Sequence, residues 1–409
     1  MQPERSASVA TSRLCAKSRR KERPISMPAS DLEALSAAYS DVFPSKAPVR
    51  LLVLADQLGA SQSIAFVEGL AQARIQGRAA VRILAEAAFG PDDGRAGAAG
   101  ARELIDAELQ ATSPTALVLS RFGHVAGVDG AFAAARASGL PVILHIDDDL
   151  FGLPVVVGIE RYRSGRHARR IQALSLALRR ADFIIAATPA LAELLAARAG
   201  HGRIGWLDNG TGGAPRPRAR KPAGSPVVIG YMGSASHGPD LELVLPALEH
   251  LLTRRRDVRV ELFGSIARLP AADRLPGAVV RHDAVAGDYA AFRRRLCALE
   301  WDIGLAPLQA SPYNRCKTAT KWAEYAEAGA AVAASDMGVY QPMIARGAAA
   351  PAAPEQWAHV LERLVDDGAL RRTLVRAADE LLTAQFGWDR LESSMLGLLA
   401  RAAPRLEAA

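Results

Sequence analysis

Aromatic residues make up only 5% of the 409-residue sequence, so any core must rest on Ala, Leu and Val. That composition favours helices packed on parallel strands over an all-β design. Cysteine is scarce: Cys15, Cys297 and Cys316 are scattered and odd in number, which excludes a disulfide framework and zinc-ligand spacing. Such usage suits a reducing, cytoplasmic compartment. No run approaches the roughly 18 apolar residues of a membrane span. The G-x-G-x-x-G fingerprint is missing after the first strand-like run, so a dinucleotide site is not indicated.

A chain of this length is most simply two domains. Its formal net charge is +7, carried by arginine clusters such as Arg254-Arg255-Arg256 and Arg293-Arg294-Arg295. An anionic membrane surface and a phosphate-rich substrate are partners such charge could meet, against the plainer alternative of arginine-rich usage beside abundant alanine. Base-stacking aromatics do not interleave with the clusters, so nucleic acid is not expected. Residues 1–48 differ from the rest. Met1 to Ser26 is polar and basic, with Arg19-Arg20-Lys21 and no apolar stretch, and does not read as a secretory leader. Either Met27 is the true start or the extension is a flexible basic tail; both readings predict disorder there.

Leu51 to Ala55 is a short apolar run ending in Asp56-Gln57-Leu58-Gly59, with a helical pattern from Ser61 to Gln76. Further strands are predicted at Val81–Leu84, Ala116–Leu119, Val142–Ile146 and Phe183–Ala186, with helices between, which implies a parallel sheet. Ligands in such sheets bind beyond the carboxyl ends of the strands. Arg121 stands at one such end and Asp147-Asp148-Asp149 at another. Three adjacent carboxylates repel and need a purpose. That purpose is a metal, catalysis, or capping of the next helix by one of them. His145 sits inside the strand pattern and is expected to point into packing.

Residues 211–226 are rich in Gly, Pro and Arg without periodicity and read as a linker. Val227 to Gly230 is a strand leading into Tyr231-Met232-Gly233-Ser234-Ala235-Ser236-His237. A helix follows, with Leu241, Val244, Leu245, Leu248, Leu251 and Leu252 on one face. Strands at Val258–Phe263 and Trp301–Ala306 precede the most informative stretch, Asn314 to Gly329. There the spacing puts Lys317, Lys321 and Glu324 on one side of a helix, near its first turns, and Ala330–Ser335 reads as a buried strand. Cations, a helix N-terminus and a carboxylate at one sheet edge suit a nucleoside diphosphate. The plain alternative is a solvated helix face with paired charges.

Four passages together resemble one branch of the family 4-type glycosyltransferases with the GT-B fold. They are LPVILHIDDDLF, ADFIIAATPALAELL with its following Asn209-Gly210, IGYMGSASHGPDLELVLPAL, and NRCKTATKWAEYAEAG with AAVAAS. The resemblance runs from about residue 50 to 402 and implies two Rossmann-like α/β domains facing across a cleft. They would be an acceptor-side domain at 49–210 and a nucleotide-sugar-binding domain at 227–385, with residues 386–409 forming a helix that crosses back to the first. It implies sugar transfer from a nucleoside-diphosphate sugar to an acceptor hydroxyl, with retention, no cofactor and no metal, in bacterial polysaccharide or glycan biosynthesis. The acceptor could be a glycan, a lipid-linked glycan or a protein, with peripheral contact at an anionic membrane.

The donor-binding residues it implies are Gly233, Ser234, His237, Tyr313, Asn314, Lys317, Lys321 and Glu324. Facing them, Asp147, Asp148 and Arg121 are the catalytic or acceptor-side candidates, Asp147-Asp148 standing where many relatives have His-Asp. A metal chelated by the aspartates would belong to the other major glycosyltransferase fold. Two departures stand out. The loop after Val227–Gly230 offers only His237 where many relatives place Arg or Lys, and Cys316 replaces the first of the family's two spaced glutamates. Rival readings are a GT-B-fold epimerase, and a catalytically inactive partner or ligand-binding subunit.

Overall fold

The computed structural model describes residues 46–92, 94–155, 162–207, 221–222, 224–277, 279–285 and 289–402. Among the described residues the strands are β1 (Val49–Ala55), β2 (Ala79–Ala85), β3 (Ala116–Ser120), β4 (Val142–Ile146), β5 (Phe183–Ala186), β6 (Ile204–Trp206), β7 (Val227–Met232), β8 (Val258–Phe263), β9 (Val279–His282), β10 (Ile303–Ala306), β11 (Ala331–Ser335) and β12 (Ala350–Ala352). They form two six-stranded sheets, ordered β2-β1-β3-β4-β5-β6 and β12-β11-β10-β7-β8-β9. Every pairing is parallel. The strands are apolar on both faces because helices cover both faces, as the zero exposure of Leu51 to Ala55 shows.

Those helices are α1 (Gly94–Thr112), α2 (Val125–Ser138), α3 (Arg166–Arg180), α4 (Pro189–Ala199), α5 (Leu245–Arg254), α6 (Tyr289–Ala298), α7 (Thr320–Glu327), α8 (Trp357–Asp366), α9 (Gly368–Gln385) and α10 (Trp388–Ala402). The architecture is thus two Rossmann-like α/β domains, the fold class the sequence implies. In each sheet the strand order reverses beside its first strand, between β1 and β3 and between β7 and β10. Such switch points open a crevice at the strands' carboxyl ends. Thr188 caps α4 as expected, its hydroxyl accepting from Leu191 N–H at 3.2 Å.

The final helix α10 returns to the first domain. Leu391, Met395, Leu398 and Leu399 pack with Val49, Leu51 and Val53 of β1. Each buried side chain of this size contributes roughly 1.5–3 kcal/mol. Gly205 makes room for the helix, since a Cβ there would lie 2.3 Å from Leu398. Glu392 fixes its register by accepting from Ala73 N–H and pairing with Arg78 at 2.8 Å.

Several local expectations change. The helix predicted over Ser61–Gln76 is broken: a π-helical turn occupies Ser63–Glu68, with Gly69 N–H reaching back to Ile64 O at 2.8 Å, before a short helix Ala71–Ile75. The helix after His237 is split at Leu243-Val244, because Pro246 has no amide to continue the ladder. Arg293 is not surface charge; it is 2% exposed. Of the N-terminal extension, residues 1–45 lie outside the described residues. So do 208–210, with the Asn209-Gly210 of the resemblance, most of the predicted linker (211–220 and 223), and the tail 403–409. Among the described residues no helix is long and apolar enough to cross a membrane.

Candidate functional site

In the second domain, β7 and β8 end side by side in two similar turns, Met232-Gly233-Ser234 and Phe263-Gly264-Ser265. The turns interlock: Gly233 N–H donates to Phe263 O at 3.0 Å, and Ile266 N–H to Gly233 O at 3.1 Å. Ala235 N–H donates to Ser265 Oγ at 2.8 Å. Gly264 has φ +99°, and a Cβ on it would sit 2.5 Å from Gly233 O. The Gly233 amide is thus spent on β8. What Gly233 supplies is space: a Cβ there would come within 3.4 Å of Lys321 Nζ. The Ser234 hydroxyl pairs with Ser236 at 2.6 Å.

Helix α7 begins only at Thr320, so Lys317 is not on its face, contrary to the spacing argument. A separate short helix, Pro312–Arg315, capped by Ser311, ends just before Lys317. From that turn Lys317 reaches across the cleft to Asp148 at 2.9 Å and to the Tyr313 hydroxyl at 3.1 Å. Burial works against its charge, but Asp148 and Tyr313 outweigh it and hold the ammonium above its ordinary range. Lys321 donates to Met232 O and lies 4.6 Å from the Tyr231 ring centroid. Desolvation draws its pKa down to about 8 against the pull of Glu324 and Asp240. Glu324 accepts from the Tyr289 hydroxyl at 2.8 Å, and burial pushes it up to about 7.

His237 is bound to Asp240 at 3.0 Å and is held down to about 4, by burial first and then by Lys321. It is neutral at pH 7 and brings no charge to the loop. Asn314 is buried and braces the chain, its amide donating to Gln309 O at 2.8 Å. Asn314 and Tyr313 line a separate cavity of about 170 Å³ that also includes His237 and Lys317.

The first domain brings Asp147, Asp148 and Asp149, which turn to three different partners. Asp147 takes the Arg121 guanidinium and the Ser61 hydroxyl. Burial raises Asp147, but Arg121, His145 and Ser61 overcome it and hold the carboxyl down to about 2. Asp148 takes Lys317, and Asp149 accepts from Gly152 N–H at 2.9 Å, closing a turn. Arg121, at φ +53°, stands behind Asp147 and also binds Asp56 at 3.2 Å. It holds Asp147 from behind, while Asp147 itself lines the main cavity. His145 is fully buried, bound to Ser120 at 2.9 Å, and lowered to about 4 by burial. Among the described residues no three His, Cys, Asp or Glu side chains converge as a metal cage.

A cavity of about 440 Å³ between the domains joins these parts. Gly59, Asp147 and Asp148 line one side; Gly233, Ser234, His237, Lys317, Lys321 and Glu324 line the other. Phe263, Phe292 and Tyr289 add an aromatic wall, their rings stacked at 5.2 Å and 5.9 Å between centroids. Sequence reasoning missed Gly264, Ser265, Tyr289 and Phe292. The one local signal was repetition, with Phe263-Gly264-Ser265 following β8 as Met232-Gly233-Ser234 follows β7. Cys316 faces away: it packs into the core of the first domain, and its carbonyl accepts from Thr188 at 3.1 Å. A glutamate there would be desolvated.

No protein-family model matches this chain, and no curated protein matches it by sequence. Solved structures do match its fold. HepE of Anabaena, in complex with UDP and glucose, aligns with TM-score 0.58 at 13% identity, over 86% of this chain and 99% of that one. A glycosyltransferase from Rickettsia africae aligns with TM-score 0.59 at 11% identity, over 88% and 99%. UDP-GlcNAc 2-epimerase from Neisseria meningitidis, bound to UDP-GlcNAc, aligns with TM-score 0.50 at 10% identity, over 86% and 100%. At such identities the shared property is the GT-B fold.

Proposed function

We propose that this chain is a glycosyltransferase moving a sugar from a nucleoside-diphosphate sugar to an acceptor hydroxyl. One observation carries the reading: Lys317, Lys321 and Glu324 meet Asp147 and Asp148 across a single cavity between two Rossmann-like domains. As the sugar's C1–O bond breaks, its electron pair leaves with the diphosphate. In this reading the ammonium groups of Lys317 and Lys321 would stabilise that developing charge without metal. Glu324, on the same wall, would accept ribose hydroxyls. Asp147 stays ionised far below neutrality, which suits orienting an acceptor better than removing its proton. Retention of configuration, a family 4-like hexosyl donor and a glycan, lipid-linked or protein acceptor complete the proposal. The excess of positive charge suits peripheral work at an anionic membrane.

An epimerase acting on the same donors calls for paired acid–base side chains with histidines at the sugar. His237 is the one histidine among the cavity-lining residues, and it is tied to Asp240. The test is the melting temperature of the protein against UDP, GDP, ADP, CMP and dTDP, for wild type and Glu324→Ala, with and without EDTA. At about a hundred times its dissociation constant, a ligand stabilises by roughly 2.7 kcal/mol. One nucleotide should shift wild type, ignore EDTA and lose its effect in the variant. If none shifts wild type, the inactive-subunit reading takes its place; if a labelled donor is turned over with no acceptor added, the epimerase does.

A further inference from the structure

We propose that Tyr289 and Arg293, one turn apart on α6, are positioning residues that hold the two α7 carboxylates in register against the first domain. Tyr289 donates to Glu324 at 2.8 Å, and Arg293 Nε donates to Glu327 at 2.7 Å. A pair spaced by four on α6 thus meets a pair spaced by three on α7. Arg293 Nη1 then reaches both carboxylate oxygens of Glu68, in the other domain, at 3.0 Å each. Arg293, Glu68 and Glu327 are 2%, 1% and 2% exposed, and the Trp388 ring centroid at the start of α10 lies 5.5 Å from the guanidinium carbon.

A buried ion group of this kind is a weak source of stability, because desolvation offsets the attraction; what it fixes is geometry. Glu68 closes the π-helical turn, and the same segment carries Gly59 and Ala60 on the cavity wall and Ser61 on Asp147. Glu324, Tyr289, Arg293, Glu68, Ser61 and Asp147 therefore form one continuous link from the nucleotide side of the cavity to the facing carboxylate. The groups around Glu324 are Lys321 and Glu327 on its own helix and Tyr289 and Arg293 on α6. With Glu68, three carboxyls share two cations, and burial pushes both Glu68 and Glu324 up to about 7. Arg293 Nη2 is buried without a partner among the described residues.

The test measures amide exchange in residues 58–68 and 320–327 of the full chain without ligand, then UDP affinity against pH. The first arm is independent of the proposed function; the second rests on it. Glu68→Gln and Arg293→Met should speed exchange in both segments by about tenfold or more while the rest of each domain keeps its protection, with Arg293→Lys recovering part. Tyr289→Phe should leave 58–68 unchanged and move the pH dependence of UDP affinity upward, since Glu324 loses the bond that favours its ionised form. Wild-type exchange in both segments of folded Glu68→Gln, or acceleration spread over both domains, overturns the proposal. Should Arg293→Met fail to fold, Glu68→Gln decides, because it gives up the charge and one of the two oxygen acceptors yet keeps the other for Arg293. If wild type binds no UDP, the exchange rates alone uphold or overturn the proposal.

Discussion

Lys317 Nζ stands 2.9 Å from Asp148 Oδ1, and the two residues belong to different domains. The bridge closes over the same cavity in which Lys317 would meet a diphosphate, so a bound donor and Asp148 compete for one ammonium group. Asp148→Asn should therefore tighten UDP binding by up to about tenfold, or ~1.4 kcal/mol, while slowing transfer. Calorimetric titration of wild type and variant checks this; weaker binding in the variant would take Lys317 away from the phosphates.

Lys321 is the other cation, and no carboxylate lies within salt-bridge distance of it among the described residues. Lys321→Met removes a charged donor worth about 1.5–3 kcal/mol, so UDP affinity should fall roughly ten- to a hundredfold. Uridine, which has no phosphate, should bind both proteins alike. Equal losses for the two ligands would mean that the side chain supports the pocket rather than the diphosphate.

Glu324 makes stability depend on pH. Its folded pKa, about 7, lies above the ordinary 4.5. The stability it contributes is fully present below about 4.5 and disappears as pH rises through 7. Glu324→Gln removes that loss, so the variant should gain on wild type by up to about 3 kcal/mol between pH 4.5 and 8. Denaturant melts at pH 5 and pH 8 give the difference directly, and a constant gap at the two pH values would contradict it.

Gly264 joins the two glycine turns, with its amide on His282 O at 3.1 Å and its Cα face against Gly233 O. Gly264→Ala forces a side chain into a left-handed position and onto that carbonyl. We expect a destabilisation of about 1–3 kcal/mol, read by urea titration, together with weaker UDP binding as the Gly233 turn shifts. An unchanged midpoint would show that the turns can separate freely.

How far the molecule could be read from its residues differs from place to place. Val142–Ile146 and Phe183–Ala186 match the predicted strands residue for residue because both are buried throughout; Val258–Phe263 matches too, through the alternation of Val258, Val260 and Leu262 despite an exposed Arg259. The strand β9 carries Arg281 and His282 at a sheet edge, and β12 holds Pro351 among three residues, so neither leaves a hydrophobic signature. The spacing of Lys317, Lys321 and Glu324 led to residues that do share one cavity, but for an incomplete reason: the chain assembles them from a turn and a helix, not from one helix face. Tyr289 and Arg293 lay beyond reach, because their partners Glu324 and Glu68 are 35 and 225 residues away and nothing local distinguishes them.

The return of α10 to the first sheet has a consequence for biosynthesis. Val49, Leu51 and Val53 emerge from the ribosome early, yet Met395 and Leu399, which cover them, come some 340 residues later. The usual order, in which an N-terminal domain matures before the next is made, is suspended here. The first domain stays open on one face throughout translation of the second, until α10 has been made and can cover β1.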